Sequence, residues 1–201
     1  GSPVWTRATT TLLRDEHNQP LHFLTQVENI EERRHLMEQL RQAALHDPLT
    51  GLANRAGLQE YLEALPPDAH IGFVVLDLDR FKDVNDVAGH AAGDEVLRTV
   101  TRRILSTVRP QDHAARTGGD EFVVVRSRPR SEFEVATMAN QLVTTISAPL
   151  RLGAGNLSIS ASAGVAVGPA TDASTLHISA DEASYRSKRC GGGTVSLFAA
   201  S

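Results

Sequence analysis

The feature that most constrains this 201-residue chain is the segment at residues 71–76, where apolar residues and a glycine leave neither face polar. Side chains of a β-strand point alternately to opposite faces, so such a strand must be covered on both of them. Central strands of sheets that carry helices on both sides have this composition. The segment therefore predicts a buried strand in a helix-flanked sheet.

Amphipathic patterns elsewhere supply the covering helices. Apolar residues recur at helical spacing at residues 94–108 and again at 135–146, and each stripe is wide enough to pack on a sheet. Further strands and a terminal helix are predicted at residues 121–125, 157–167, 195–198 and 180–188. The fold class that follows is α/β or α+β, with a mixed central sheet flanked by helices.

Charge and cysteine content narrow the partners and the compartment. Lys and Arg number 20 against 24 Asp and Glu, whereas nucleic-acid-binding proteins normally present a basic face, so no nucleic-acid partner is expected. The single cysteine, Cys190, excludes an intrachain disulfide and favours a reducing compartment, so we expect a cytoplasmic location. Because no apolar run approaches the roughly 20 residues of a membrane helix, no membrane partner is expected for this fragment.

The first 45 residues predict a hairpin followed by a helix. Gly1 and Ser2 resemble an expression scar, and residues 5–30 contain two strand-like segments around a turn-rich stretch. Two strands alone are marginal in water, so the hairpin is expected to pack on something else or to end a truncated domain. Its pattern resembles the last strands of a PAS sensor domain running into an exit helix. We therefore divide the chain into a PAS-like end, a connector helix and a main domain, at residues 1–30, 31–45 and 46–201.

The predicted connector helix carries a narrow apolar stripe. Leu36, Leu40, Ala43 and Ala44 recur at helical spacing among charged residues. Such a stripe suits a solvated linker packed loosely on its neighbour, and equally a short parallel coiled coil that transmits a signal. The sequence leaves both interpretations open.

Two carboxylates follow the buried strand. Alternation puts Asp77 and Asp79 on one side of the chain and Leu78 on the other. A desolvated carboxylate is costly unless it is paired or holds a cation, and carboxylate oxygens suit Mg²⁺. The pair therefore indicates a magnesium site or, in the structural alternative, a solvated strand end or a cap for the next segment.

A second acidic segment follows two glycines. Gly118 and Gly119 predict a tight two-residue hairpin turn whose central residues have positive φ, with Asp120 and Glu121 at its tip. If this hairpin lies beside the strand that ends at Asp77, three acidic side chains converge at one end of the sheet. Such a cluster repels a nucleoside triphosphate unless a divalent metal is present, and metal-assisted nucleotidyl transfer uses that arrangement. Taken alone, the two glycines also fit an ordinary hairpin.

The segment Gly118-Gly119-Asp120-Glu121-Phe122 resembles the signature of the GGDEF domain, the diguanylate cyclase family. Blocks at residues 46–55, 77–94 and 180–188 resemble other family motifs in the same order and spacing, and the resemblance covers about residues 46–198. It implies a fold similar to the palm of polymerases and class III nucleotide cyclases. It also implies a homodimer in which each subunit holds one GTP, and the 3′-hydroxyl of each GTP attacks the α-phosphate of the other. The products would be cyclic di-GMP and two pyrophosphates.

The resemblance assigns roles around the acidic residues. Asp77 and Asp120 correspond to the metal-binding carboxylates, and the Leu78 carbonyl is a further ligand. The implied cofactor is Mg²⁺, two ions per site, or Mn²⁺. Asp120 or Glu121 would assist deprotonation of the attacking hydroxyl, and the motif does not choose between them.

The same resemblance assigns the substrate contacts. Phe81 and Lys82 lie in a turn that would meet the β- and γ-phosphates, and Lys188 arrives from the terminal helix. Asn85 and Asp94 match the positions that read guanine. Guanine can donate hydrogen bonds to a carboxylate from its N1–H and its exocyclic amine. Adenine has no N1–H and no amine at that position, so it would leave Asp94 unpaired, at a cost of about 1–3 kcal/mol or more. Helix capping is the structural alternative for both residues.

Arg109 and Asp112 form an R-x-x-D pattern that, in this family, binds product at an inhibitory site. The planar guanidinium of arginine suits phosphate and the Hoogsteen edge of guanine. The pattern by itself is also typical of a surface ion pair that contributes little to stability. We expect cyclic di-GMP to inhibit turnover.

One departure keeps a second function open. Gly192 stands where the family often has an arginine that contacts the triphosphate, so GTP binding is expected to be weaker unless Arg189 substitutes. The chain would then be either an active cyclase or a binding module that retains GTP or cyclic di-GMP and regulates a partner domain such as a phosphodiesterase. A class III adenylyl or guanylyl cyclase is disfavoured by the ordered family motifs.

Overall fold

The computed structural model describes residues 4–152 and 155–198, and the chain divides between Ala44 and Leu45 into two units. The first unit contains an antiparallel hairpin, β1 (Thr6–Arg14) and β2 (Pro20–Asn29), and helix α1 (Glu31–Leu45). The carboxylate of Asp15 accepts hydrogen bonds from two amides of the hairpin turn, which fixes its geometry. The predicted hairpin and helix are confirmed.

Most side chains of this first unit are exposed. Phe23 on β2 is 72% exposed, and Leu36 and Leu40 on α1 are exposed as well. The indole of Trp5 lies under the guanidinium of Arg34, 4.0 Å from the ring centroid. The PAS-like origin of the hairpin and both interpretations of the apolar stripe stay predictions.

The second unit alternates helices and strands along the chain. Its elements are α2 (Arg55–Glu63), β3 (His70–Leu78), α3 (Phe81–Ala88), α4 (His90–Thr107), β4 (His113–Arg116), β5 (Glu121–Ser127), α5 (Glu132–Ile146), β6 (Leu150–Leu152), β7 (Gly155–Leu157), β8 (Ala161–Pro169), α6 (Ala173–Arg189) and β9 (Val195–Leu197). A short 3₁₀ turn, Ala170–Asp172, precedes α6. The helices and strands predicted from apolar patterns are present with changed bounds, except that the strand predicted at residues 157–167 is divided between β7, which ends at Leu157, and β8, which begins at Ala161.

The central sheet has the strand order β4-β5-β3-β8-β9, and β3 is its middle strand. Every pairing is antiparallel except the parallel pair β8–β9, so the predicted mixed sheet is confirmed. On one face of β3, Val74 and Leu76 pack with α4 and α5. On the other, Phe73 and Val75 pack with α2 and α6. Both faces of the apolar strand are therefore covered.

Two helices differ from the sequence patterns. Helix α2 was not predicted, because its apolar stripe is short; it begins after Asn54, whose side chain accepts a hydrogen bond from the Gly57 amide. Residues 81 and 82, predicted in a turn, are instead the first residues of α3. In the described part of the chain, residues 4–152 and 155–198, no helix has both the length and the apolar character needed to cross a membrane.

Candidate active site

The end of β3 brings the predicted acidic residues to one edge of the sheet. Asp77 lies opposite Glu121 on β5 and opposite Ser162 on β8. The Leu78 amide donates a hydrogen bond to the carbonyl of Asp120 over 3.1 Å. The hairpin that carries Asp120 and Glu121 therefore lies beside the strand that carries Asp77, as the sequence predicts.

The turn of this hairpin differs from the predicted one. The Thr117 amide donates to the Glu121 carbonyl, which leaves a loop of Gly118, Gly119 and Asp120. Neither glycine has a positive φ, so the prediction of a two-residue turn with positive φ is wrong, because the loop is one residue longer. A Cβ at Gly118 would lie 2.6 Å from Glu121 Oε2, so a larger residue there would displace the Glu121 carboxylate.

The block at residues 46–55 contacts the residues around this loop through Asp47 and Arg55. Asp47 forms an ion pair with Arg116 over 3.0 Å, and the same guanidinium donates to the Gly119 carbonyl over 2.8 Å. Arg55 donates to the Thr117 carbonyl. Burial disfavours the Asp47 charge, yet hydrogen bonds from Thr50 and the Arg116 pair hold the pKa of Asp47 below its ordinary value. Arg116, which the sequence patterns missed, thus links the block at residues 46–55 to the acidic loop.

Asp77 has a cation as its partner. The Nζ atom of Lys188, in the last turn of α6, forms an ion pair with Asp77 Oδ1. Burial raises the pKa of Asp77 above its ordinary value despite this lysine, and the charges of Asp120 and Glu121 raise it further. A further cation beside Asp77 would offset both the burial of its carboxylate and the repulsion from Asp120 and Glu121.

The donors at this edge fit a divalent cation in kind, although they are not gathered in advance. Among the described residues, no three Asp, Glu, His or Cys side chains form a cluster of metal-binding size. The Glu121 carboxylate lies against Gly118, and Lys188 contacts Asp77. Carboxylate oxygens and a main-chain carbonyl such as that of Leu78 are nevertheless the donors that Mg²⁺ prefers. The residues are of the types that bind Mg²⁺, but their side chains do not point to one common position.

Asp79 is held by hydrogen bonds from within the domain. Its Oδ1 accepts a hydrogen bond from the Ser162 hydroxyl at 2.7 Å. Its Oδ2 accepts from the Ser160 hydroxyl at 2.6 Å and from the Gly193 amide at 2.9 Å. Asp79 is therefore neither a solvated strand end nor a cap of α3, the two structural alternatives; its carboxylate instead holds Ser160, Ser162 and the loop after α6. The two serines were missed from the sequence, although their spacing of two in a strand-like segment puts both on one face.

The loop after α6 explains why Gly192 is tolerated. Gly192 has a φ of +74°, and a Cβ there would lie 2.9 Å from Asp79 Oδ2. A larger residue would therefore need both a left-handed backbone and a displaced Asp79. Asp79 anchors this loop from a position that a side chain at residue 192 would have to displace, which accounts for the absence of a basic residue there.

The predicted phosphate contacts lie at the start of α3. Arg80, with a φ of 56°, turns the chain from β3 into the helix. Phe81 is buried and anchors the first turn, whereas Lys82 is exposed. The first amides of a helix have no carbonyl partners within it, so they can donate to phosphate oxygens.

Asn85 and Asp94 lie on two helices that pack tightly. A Cβ at Gly93 would lie 1.9 Å from Asn85 Oδ1, so a larger residue there would displace the Asn85 side chain. Asp94 is in the second turn of α4, which begins at His90, and Asn85 is inside α3. The capping alternative is therefore wrong for both. Both residues are half-buried.

The R-x-x-D residues have internal partners. The Asp112 side chain is fully buried and pairs with Arg126 over 2.7 Å, and it also accepts from the Arg109 and Ser127 amides. Arg109 forms an ion pair with Glu134 over 2.9 Å and remains about half exposed. Of the two motif residues, Arg109 is the one that a ligand can reach.

Arg109 borders a basic cavity of about 420 Å³. Arg126 and Arg130 also line it, together with Phe133, which is 80% exposed. The Arg130 amide and the guanidinium groups of Arg109 and Arg126 hold the pKa of Glu134 below its ordinary value, against some desolvation. The cavity thus combines cations with an aromatic ring, beside a carboxylate that is ionised at neutral pH.

Comparisons with known proteins agree with this geometry. The family model described as diguanylate cyclase, GGDEF domain, matches residues 44–194. The chain is 42% identical over 171 residues to the bifunctional diguanylate cyclase/cyclic di-GMP phosphodiesterase MucR of Pseudomonas aeruginosa, covering 81% of this chain and 25% of MucR. It is 38% identical over 175 residues to the cyclic di-GMP phosphodiesterase PdeR of Escherichia coli, covering 85% of this chain and 26% of PdeR.

Among solved structures, the coiled coil and GGDEF domain of DgcB from Caulobacter crescentus, in complex with c-di-GMP, has a TM-score of 0.77 and 34% identity. That match covers 84% of this chain and 93% of the DgcB chain. The chain spans about a quarter of the length of the two curated relatives above. The family model alone covers well over half of the sequence. The chain therefore belongs to the diguanylate cyclase family of GGDEF domains.

Proposed function

We propose that this chain is a diguanylate cyclase that joins two GTP molecules into cyclic di-GMP and releases two pyrophosphates. The observation that carries the proposal is the register of the central sheet, which sets Asp77 opposite Glu121 and beside Asp120 where α3 begins. This brings three carboxylates next to a helix start that suits phosphate binding.

Asp77, Asp120 and the Leu78 carbonyl would hold the divalent cation on which diguanylate cyclases generally depend. When bound, such a cation neutralises phosphate charge and polarises the α-phosphate. Asp120 or Glu121 accepts the proton of the 3′-hydroxyl. The hydroxyl oxygen then forms a bond to the α-phosphorus of the second GTP, and the bond from that phosphorus to the pyrophosphate oxygen breaks.

The substrate is held at both ends. The amides of Phe81 and Lys82, the Lys82 ammonium and Lys188 bind the β- and γ-phosphates. Asn85, which lies against Gly93, and Asp94, the residue after that glycine, donate and accept hydrogen bonds at the guanine edge. Because one such site holds one GTP, ring closure requires two chains facing each other as a homodimer.

Product inhibition belongs to the same proposal. Arg109, at the edge of the basic cavity, would bind a phosphate or the Hoogsteen edge of guanine in cyclic di-GMP. Asp112 would act indirectly, because its carboxylate is used by Arg126 and by the Arg109 amide.

A second function remains a candidate because Gly192 provides no cation for the triphosphate. The chain would then bind GTP or cyclic di-GMP and regulate a neighbouring phosphodiesterase, and the likeness to PdeR supports this alternative. Incubation with GTP and Mg²⁺, followed by chromatography of the nucleotides, separates the two. Cyclic di-GMP supports the cyclase, and unchanged GTP that is nevertheless bound supports the regulator. Cyclic GMP would contradict both.

A further inference from the structure

The ion pair between Lys188 and Asp77 joins a residue proposed for phosphate binding to one proposed for metal binding. Of the described residues, Lys188 alone forms an ion pair with Asp77. The same carboxylate lies beside Asp120 and Glu121, so the ammonium stands where a divalent cation would be most favourable. The two cations therefore compete for one oxygen.

The helix that carries Lys188 is fixed against the sheet. The Ser187 hydroxyl donates to the Ala163 carbonyl over 3.0 Å, and a Cβ at Gly164 would lie 1.9 Å from the Ala180 carbonyl oxygen. The backbone of α6 thus touches β8 with no side chain between them. Only the flexible stem of Lys188 can move, and its side chain is 35% exposed.

From these contacts we propose that Lys188 is a resident counter-ion of Asp77, which yields its place to a divalent cation and moves to the phosphates of the bound nucleotide. The inference rests on the proposed function for the destination of Lys188. Without nucleotide, the ammonium weakens metal binding because it occupies Asp77. With nucleotide, the ammonium that the metal displaces from Asp77 pairs with the phosphates instead. The metal and the nucleotide therefore each bind more tightly when the other is bound.

The test is a pair of binding measurements that need no turnover. Mn²⁺ affinity is measured without nucleotide from the electron paramagnetic resonance signal of the free ion. Affinity for 3′-deoxy-GTP, which cannot react, is measured by calorimetry at a Mn²⁺ concentration that saturates each variant, so that the cation has taken the place of Lys188 on Asp77. We expect Lys188→Met to bind Mn²⁺ about fivefold more tightly than the wild type, since a competing charge is removed, and to bind 3′-deoxy-GTP about fivefold more weakly.

Arg189→Met is the matched control, because it removes one positive charge from the neighbouring, exposed residue of the same helix. We expect it to leave the Mn²⁺ affinity within about twofold of the wild type. Lys188→Arg keeps a charge at the position and should restore weak Mn²⁺ binding. A substitution that merely damaged the fold would weaken both ligands.

Equal Mn²⁺ affinity in the wild type and Lys188→Met would overturn the inference, as would a gain in Arg189→Met of the same size. Tighter Mn²⁺ with unchanged nucleotide affinity would overturn the movement to the phosphates. Failure of the proposed function is distinguishable, because it shows as missing cyclic di-GMP whatever the Mn²⁺ titration gives.

Discussion

Two acidic residues of this domain, Asp77 and Asp112, both belong to sequence motifs and are used differently. The Asp77 side chain is 21% exposed at the sheet edge, and its ion-pair partner is a lysine on a flexible stem. The Asp112 side chain is 0% exposed, and its partner, Arg126, is itself buried. The comparison teaches that a carboxylate with a movable partner is available to a ligand, whereas one with a fixed partner holds the fold.

The largest expected effect tests the fixed carboxylate. Asp112→Ala should lower the free energy of unfolding by about 3 kcal/mol, because it leaves Arg126 buried with Glu134, at 3.7 Å, as its one remaining ion-pair partner among the described residues. Urea denaturation measures this. Asp83→Ala breaks the exposed pair with Arg80 and is the control, with an expected loss below about 1 kcal/mol. Equal losses for the two variants would contradict the comparison.

The movable carboxylate is tested by Asp77→Asn. We expect the rate of cyclic di-GMP formation to fall about a hundredfold or more, since a proposed metal ligand is lost. The free energy of unfolding should change by less than about 1 kcal/mol, because Asp77 is paired to a partly exposed lysine. Initial rates by chromatography and urea denaturation give the two numbers. If Asp77→Asn kept its rate of cyclic di-GMP formation and lost several kcal/mol of unfolding free energy, Asp77 would be a structural residue and the comparison would be wrong.

A smaller effect is expected at the basic cavity. Glu134→Gln keeps an acceptor for the Arg130 amide, removes the carboxylate that pairs with Arg109, and should bind cyclic di-GMP about threefold more tightly. Isothermal titration calorimetry measures the affinity. Glu132→Gln, an exposed change of the same charge on the same helix, is the matched control. Weaker binding in Glu134→Gln would show that Glu134 orients Arg109 for the ligand instead of competing with it.

The smallest effect sharpens the comparison near the acidic loop. Asp47→Asn should lower the free energy of unfolding by about 1 kcal/mol at pH 7, because the half-buried pair with Arg116 is lost. The pKa of Asp47 is depressed in the folded chain, so its contribution is present above its ordinary pKa of 3.8 and is lost as the pH falls through the lower folded pKa. The difference between variant and wild type should therefore shrink below pH 3.8. A difference that grew in acid would contradict this sign.

Local patterns sufficed for much of the fold. The apolar strand, the stripes of α4 and α5, and the bounds of α1 follow from burial and periodicity, which depend on neighbouring residues only. Helix α2 was missed because nine residues carry little periodic signal. The predicted length of the turn at Gly118 is wrong because the hydrogen bond between Thr117 and Glu121 sets that length. Nothing in the local sequence indicates that these two residues pair.

At the candidate site, the sequence predicted which residues meet but not their partners. The edge that joins Asp77 to the hairpin was predicted from strand ends and motif order. The ion pair of Asp77 with Lys188, and the serines that hold Asp79, bridge residues far apart in the chain. Such pairs depend on how helices and strands stack, which periodicity does not encode.

The direct approach of α6 to β8 at Gly164 makes a distant position sensitive to substitution. Any side chain at 164 would push the Ala180 carbonyl outward. Because an α-helix is stiff, a displacement at Ala180 would also move the C-terminal end of α6, with Lys188, away from the sheet edge. Gly164→Ala would therefore mimic loss of a lysine it never touches, and a variant found far from the nucleotide would behave like one inside its pocket.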